Sequence, residues 1–236
     1  MLFQNRKDAG RLLAAALKEF RGRNCVVLAL PRGGVPVAAE VAEALDAPLD
    51  LLLVRKIGAP RQPELAIGSV IDGGTPIIVQ DRELISLTGT SPRQFDEICA
   101  RELAEIERRR KFYIGDRPPV PLEGRVAIVV DDGLATGNTM RAALQAARLR
   151  RPARLVMAVP VAPAGTLEYF RDQADQVVCL ATPEPFGAVG YFYDDFSPTS
   201  DAEVIRLMRD QAAVHAANPN VEAGGLFPFL EQYREG

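Results

Sequence analysis

The sequence predicts an α/β fold: a mostly parallel sheet with helices on both faces, plus a small hood or hairpin region. Three observations carry that prediction. Aliphatic residues gather in short unbroken runs, such as NCVVLAL at 24–30 and VAIVV at 126–130, without the polar alternation of a half-exposed strand. Such runs suit strands covered on both faces. Segments with apolar residues at helical spacing lie between them, so strand and helix alternate. Two of the runs also pass directly into glycine-bearing loops that open helices, at the sheet edge where α/β proteins bind ligands.

Taken in order, Leu12, Leu13, Ala16, Leu17 and Phe20 place an amphipathic, core-packing helix at about 8–21, stopped by Gly22. The strand at 24–30 runs into Pro31, Arg32, Gly33 and Gly34, and VPVAAEVAEAL continues as a helix with Pro36 in its first turn. Residues 48–54 (PLDLLLV) form the next strand, ending in Arg55 and Lys56. The Gly- and Pro-rich stretch 57–68, with Arg61 and Glu64, reads as a loop. Residues 66–80 read as a hairpin turning at Asp72, Gly73 and Gly74, with Thr75 and Pro76 marking an edge element. Ser91 and Pro92 open a long helix with Phe95, Ile98, Cys99, Leu103 and Ile106 on one face. Its basic end, 108–111, complements the helix dipole, and RNA contact is the alternative use of those charges. A proline-stiffened connector, 116–121, leads to the 126–130 strand. Further strands at 153–162 and 176–181 flank a short helix at 164–172. Ser200 and Glu203 form a capping box for a last helix, in which the single histidine, His215, reads as structural or solvated. The expected organisation is one domain over 1–216, with hood elements at about 61–115 and 182–199. The tail 217–236 carries Phe227, Phe229, Leu230 and Tyr233, which dock on the body or a partner.

Composition narrows the function. A 47% hydrophobic and 25% charged chain of net charge -3 has the make-up of a globular protein and no global basic field for nucleic acid or membrane. No run approaches the roughly 20 apolar residues of a bilayer span, and the start lacks a secretory h-region, so a cytoplasmic location is expected. Cys25, Cys99 and Cys179 have no metal-ligand spacing and read as buried free thiols.

The chemistry concentrates at 126–140, VAIVVDDGLATGNTM. Asp131 and Asp132 sit at a strand's carboxyl end. A small-residue loop follows, and unpaired N–H groups at the helix start beyond it suit an anion. The acidic pair suits hydroxyls or a magnesium ion. PRGG at 31–34 repeats the plan with an Arg beside the donors. The 182–196 stretch crowds together Phe186, Tyr191, Phe192, Tyr193 and Phe196, in a chain only 6% aromatic, and offers a face on which a base could stack. A hydrophobic lid on the N-terminal helix is the structural alternative.

Hydrophobic run, acidic pair, loop ending in T-G-x-T and helix together resemble the ribose-phosphate signature of the type I phosphoribosyltransferases, and the resemblance extends over about 11–196. It implies the type I phosphoribosyltransferase fold and phosphoribosyl pyrophosphate (PRPP) as substrate. Asp131 and Asp132 then hold the ribose hydroxyls and, indirectly, the Mg2+ carried by PRPP. Ala135, Thr136, Gly137, Asn138 and Thr139 take the 5-phosphate. Arg32, Gly33 and Gly34 resemble the family's pyrophosphate loop, which often contains a non-proline cis peptide. Arg55 and Lys56 are further pyrophosphate candidates, counted with the acidic pair as catalytic, and 57–68 falls where the family has a mobile closing loop. Phe186 is the first choice for stacking a base, Tyr191 or Tyr193 the second, with Asp194 and Asp195 on the metal side. The implied reaction transfers ribose 5-phosphate from PRPP to a nitrogen nucleophile, expected to be a nucleobase, with release of pyrophosphate. The alternatives are a PRPP- or nucleotide-binding regulator and a subunit active only with a partner; a homodimer is also expected. Two departures stand out. Gly133 replaces a usual aliphatic residue, and Ala135 replaces the Asp of 6-oxopurine enzymes, which leaves the acceptor open.

Overall fold

The computed structural model describes residues 2–72 and 76–217. Helix α1 (Arg6–Ala16) and a 3-10 turn lead to β1 (Cys25–Ala29), α2 (Gly34–Leu45) and β2 (Leu49–Leu51). There follow β3 (Val54–Ala59), β4 (Gln62–Ile71), β5 (Ile77–Gln80), α3 (Arg82–Leu87) and α4 (Pro92–Ile114). The chain then runs through β6 (Val126–Val130), α5 (Asn138–Leu149), β7 (Arg154–Val161), α6 (Ala164–Phe170) and β8 (Gln176–Ala181). A second 3-10 turn (Val189–Phe192) and α7 (Asp201–Ala217) complete it.

The body is one parallel sheet in the order β2-β1-β6-β7-β8. Its two faces explain the unbroken aliphatic runs. Val27 and Ala29 of β1, with Ile128 and Val130 of β6, pack against Leu13 and Leu17 from the N-terminal segment and Val37 and Val41 from α2. Their neighbours Val26, Leu28, Ala127 and Val129 face the opposite way, into Met140, Ala143, Leu144 and Ala147 of α5. Alternation therefore selects between two cores, each worth roughly 1.5–3 kcal/mol per fully buried aliphatic side chain.

Three expectations change in the second, antiparallel sheet, ordered β3-β4-β5. First, β2 stops at Leu51, and Arg55 and Lys56 belong to β3. Second, 57–68 is not a loop: β3 and β4 pair as a hairpin from Val54↔Ile71 to Ala59↔Gln62, with an irregular register around Gly58. The Gly and Pro mark that bulge and the tight turn, and Pro63 falls beyond the 68–71 stretch where β5 pairs with β4. Third, α3 was not foreseen. Its N-cap Asp81 accepts from the Leu84 amide at 2.9 Å, but the helix buries no residue and so shows no apolar stripe.

The helix from Ser91 is as expected, with a complete capping box between Ser91 and Gln94. In its basic end Arg110 turns inward, while Arg108 and Lys111 stay exposed beside acidic neighbours. Arg108 and Arg109 pair with Glu105, Arg110 bridges Asp50 and Asp72, and Lys111 lies 3.7 Å from Asp116, so internal partners engage the charges considered for RNA. The first helix starts earlier and ends earlier than expected, because Asn5 caps it through the Asp8 amide and a 3-10 turn (Lys18–Phe20) completes the segment. Cys25 and Cys99 are buried, Cys179 is half-buried, and all three are free thiols raised by burial. Among the described residues no helix is long and apolar enough to cross a membrane. The hairpin tip Gly73, Gly74 and Thr75, the side chain of His215 and the tail with Phe227, Phe229, Leu230 and Tyr233 lie outside the described residues.

Candidate active site

Strands β1 and β6 are neighbours in register, Ala29 opposite Val130, so PRGG and the acidic pair leave the sheet side by side. The two turns touch. A Cβ at position 33 would stand 2.7 Å from Asp132 Cγ, and one at position 34 would stand 2.8 Å from the Val130 carbonyl oxygen. Only glycine lets the loop approach this closely. The Pro31–Arg32 peptide bond is cis, as the resemblance implied for this loop.

Asp132 is held from several sides. Arg6 Nε donates to its Oδ2 at 2.7 Å, Tyr193 donates its hydroxyl to the Asp132 carbonyl at 2.6 Å, and the Asp132 amide donates to Asp131 Oδ1 at 2.9 Å. Enclosure, and then the adjacent Asp132 charge, push the Asp131 carboxyl well above the usual carboxylate range. Burial, followed by the Asp132 charge, likewise raises the Tyr193 hydroxyl.

Beyond the pair, the Leu134 amide bonds to Val161 O at 2.9 Å and ends the sheet-like pairing. From Ala135 to Met140, no backbone N–H has a hydrogen-bond acceptor among the described residues, and the Arg141 amide is the first to pair, with Gly137 O. The loop is anchored instead through Ala135 O, which accepts from Thr166 Oγ1 at 3.1 Å. Ala135, Thr136, Asn138 and Thr139 are exposed, and Gly137, at φ 74°, starts the helix. Gly133 now has a physical account. Its φ is 153°, and a Cβ there would lie 2.5 Å from Val189 Cγ1, so Val189 from the aromatic segment fills the space of the usual aliphatic side chain.

The remaining residues divide. Arg32 is half-exposed and lies 3.5 Å from Asp201, which also accepts from the Tyr113 hydroxyl at 2.7 Å. Arg55 pairs with Glu102 at 2.7 Å and Lys56 with Glu64 at 2.6 Å. Both line a cavity of about 1250 Å³ between the antiparallel sheet and α5, together with Asn138 and Thr139 but without Asp131 or Asp132. Phe186 is half-buried with its ring centroid 5.1 Å from Phe192, whereas Tyr191 is 69% exposed. Tyr193 is buried and supports Asp132, so it offers no stacking face. Asp194 and Asp195 are exposed and donate their amides to Phe3 O and Gln4 O. The aromatic segment thus also packs as a lid on the N-terminal residues, through Phe3 and Ala9. Sequence reasoning missed Arg6 and the role of Tyr193. Arg6 looks like any charge at a helix start, and its partner lies 126 residues away.

A parallel sheet whose carboxyl edge carries an acidic pair between two glycine-bearing turns has the architecture of the type I phosphoribosyltransferases. The chain belongs to the phosphoribosyl transferase domain family, whose model matches residues 1–195. Two curated relatives from Mycobacterium tuberculosis, strains CDC 1551 and H37Rv, are provisionally named phosphoribosyl transferases. Each is 46% identical over 207 residues, covering 88% of this chain and 46% of theirs. The chain therefore spans about half the length of the curated relatives it matches. The crystal structure of TT1426 from Thermus thermophilus superposes with a TM-score of 0.77 at 40% identity, over 89% of this chain and 99% of that one.

Proposed function

We propose that this domain transfers the ribose 5-phosphate of PRPP to a nitrogen nucleophile, a nucleobase, with release of pyrophosphate. The contact between Gly33 and Asp132 carries the reading, because it sets a glycine turn suited to pyrophosphate directly against the carboxylates suited to ribose hydroxyls. The unpaired amides of 135–140 then receive the 5-phosphate at the start of α5. Arg32, Gly33 and Gly34 hold the pyrophosphate, with Arg32 leaving Asp201 for it. Arg55 and Lys56 serve a ligand that reaches from the phosphate loop into the cavity beside Asn138 and Thr139. Phe186 or Tyr191 covers the base. Residues 1–216 act as one unit, covered by the 61–115 and 182–199 segments.

Carboxylate oxygens are hard donors, and Asp131 Oδ2 and Asp132 Oδ1 accept no bond from outside the pair among the described residues, which fits Mg2+. Held there with PRPP, Mg2+ would supply charge neutralisation for the pyrophosphate leaving group. The chain's own residues position the two ends of the substrate and keep the anomeric carbon between them, so the C1–O bond breaks as the C1–N bond forms and the nucleophile's proton passes to solvent. This chemistry requires no nucleophilic side chain. Incubation with Mg2+, PRPP and a panel of bases should release pyrophosphate with at least one base. Tight PRPP binding without turnover on any of them would assign the domain to regulation instead.

A further inference from the structure

Arg6 has been given no part in binding the substrate, yet its guanidinium is nearly buried against the acidic pair. Its side chain is 11% exposed and that of Asp132 15%. Nε meets Asp132 Oδ2 at 2.7 Å, a second nitrogen donates to Ser197 O at 2.8 Å, and the group lies 3.9 Å from the centroid of the Phe196 ring. Placed over the ring and forked between two oxygens, the guanidinium has little freedom to move. The oxygen it grips is the one against which Gly33 packs, so α1, the acidic pair and the glycine turn meet at a single atom.

The segment that brings Arg6 there is itself fastened. The Leu2 and Phe3 amides both donate to Phe192 O at 3.0 Å, and the Asp194 and Asp195 amides return to Phe3 O and Gln4 O at 2.9 Å. The Phe3 and Tyr193 rings lie 5.3 Å apart, and those of Tyr193 and Phe196 5.0 Å. Residues 2–6 and 192–197 thus form one clamp that reaches Asp132 twice, through Arg6 at the carboxylate and through Tyr193 at the carbonyl.

We propose that Arg6 is a positioning residue for the ribose site: the N-terminal clamp uses its guanidinium to fix the Asp132 carboxylate in the orientation that receives the ribose hydroxyls. The inference rests on the reading of Asp131 and Asp132 as ribose ligands. Arg6 acts through Asp132, with one oxygen bound and the other left for substrate. A side chain that merely stabilised the fold would change PRPP affinity independently of Asp132.

A double-mutant cycle on PRPP affinity, measured by calorimetric titration with Mg2+, separates these cases. Arg6→Met should weaken PRPP binding about tenfold or more, the scale of one lost charge-assisted hydrogen bond. In an Asp132→Asn background the same change should add less than about twofold, since its target has already lost its charge. Arg6→Lys keeps the charge but not the fork, so it should fall between the wild type and Arg6→Met and supplies a milder variant should the methionine protein fold poorly. Unchanged PRPP affinity in Arg6→Met, or effects that multiply fully in the double variant, would overturn the role of Arg6 while leaving the phosphoribosyltransferase reading intact. Failure of the unaltered protein to bind PRPP would overturn that reading and this inference with it.

Discussion

Replacing Gly33 by alanine tests the contact on which the site is built. Gly33 has φ -60° and ψ -34°, ordinary right-handed values, so an alanine there carries no backbone strain of its own. The whole effect falls on the approach to Asp132. The new methyl carbon would stand 2.7 Å from Asp132 Cγ, where ordinary carbon contacts begin near about 3.5 Å. The carboxylate must therefore retreat by several tenths of an ångström to about 1 Å, or the PRGG turn must lift by as much. Retreat breaks the 2.7 Å bond to Arg6; lifting moves Arg32 and the turn's amides away from the acidic pair. Overpacking of this kind costs about 1–3 kcal/mol. Expressed as PRPP affinity, that is a loss of about fivefold to 150-fold. Calorimetric titration of PRPP with Mg2+ into Gly33→Ala gives the affinity, and thermal melting gives the part of the cost that falls on stability. Wild-type affinity within twofold, at an unchanged melting temperature, would refute the claim that the two turns operate in contact.

Other perturbations probe the scaffold. Asp50 is fully buried, accepting from Arg110 at 3.2 Å and from the Leu51 and Val120 amides at 2.8 Å, so Arg110→Met removes the cation that bridges Asp50 and Asp72 and leaves the two carboxylates with the amides and the charge of Arg150. Loss of one partner from a buried pair costs about 3–5 kcal/mol, and the urea midpoint should fall accordingly with little change in m. Gly133→Ala should lower the melting temperature by collision with Val189 and by its φ of 153°, and Val189→Ala should restore part of that loss in the double variant. The three thiols are raised by burial, so at pH 8 they carry less thiolate than a free cysteine; a thiol reagent should label the native protein slowly and the urea-unfolded protein quickly.

Legibility followed how local the cause was. Strands β1 and β6 were readable because both their faces enter apolar cores, and the long helix because Ser91 and Pro92 open it just before its apolar face begins at Phe95. The β3–β4 hairpin was read as a loop because Gly58, Pro60 and Pro63 carry the same punctuation in a bulged hairpin as in a mobile segment. Helix α3 buries nothing and leaves no periodic trace. In the site, the acidic pair and both glycine turns were visible as strand-end motifs. For the basic run at 108–111 the helix dipole was a sufficient local reading, but the inward role of Arg110 was hidden because Asp50 and Asp72 lie 60 and 38 residues away. Arg6 and the supporting role of Tyr193 were hidden for the same reason: their target is assembled only when the two ends of the domain close on β6.

A crystal structure with PRPP and Mg2+ tests the central claim most directly. The account predicts ribose hydroxyls on Asp131 and Asp132, the 5-phosphate on the amides from Ala135 to Met140, and the pyrophosphate on Arg32, Gly33 and Gly34. PRPP seated wholly in the 1250 Å³ cavity beside Arg55 and Lys56, with the Asp132 carboxylate still on Arg6 and untouched by ribose, would contradict it.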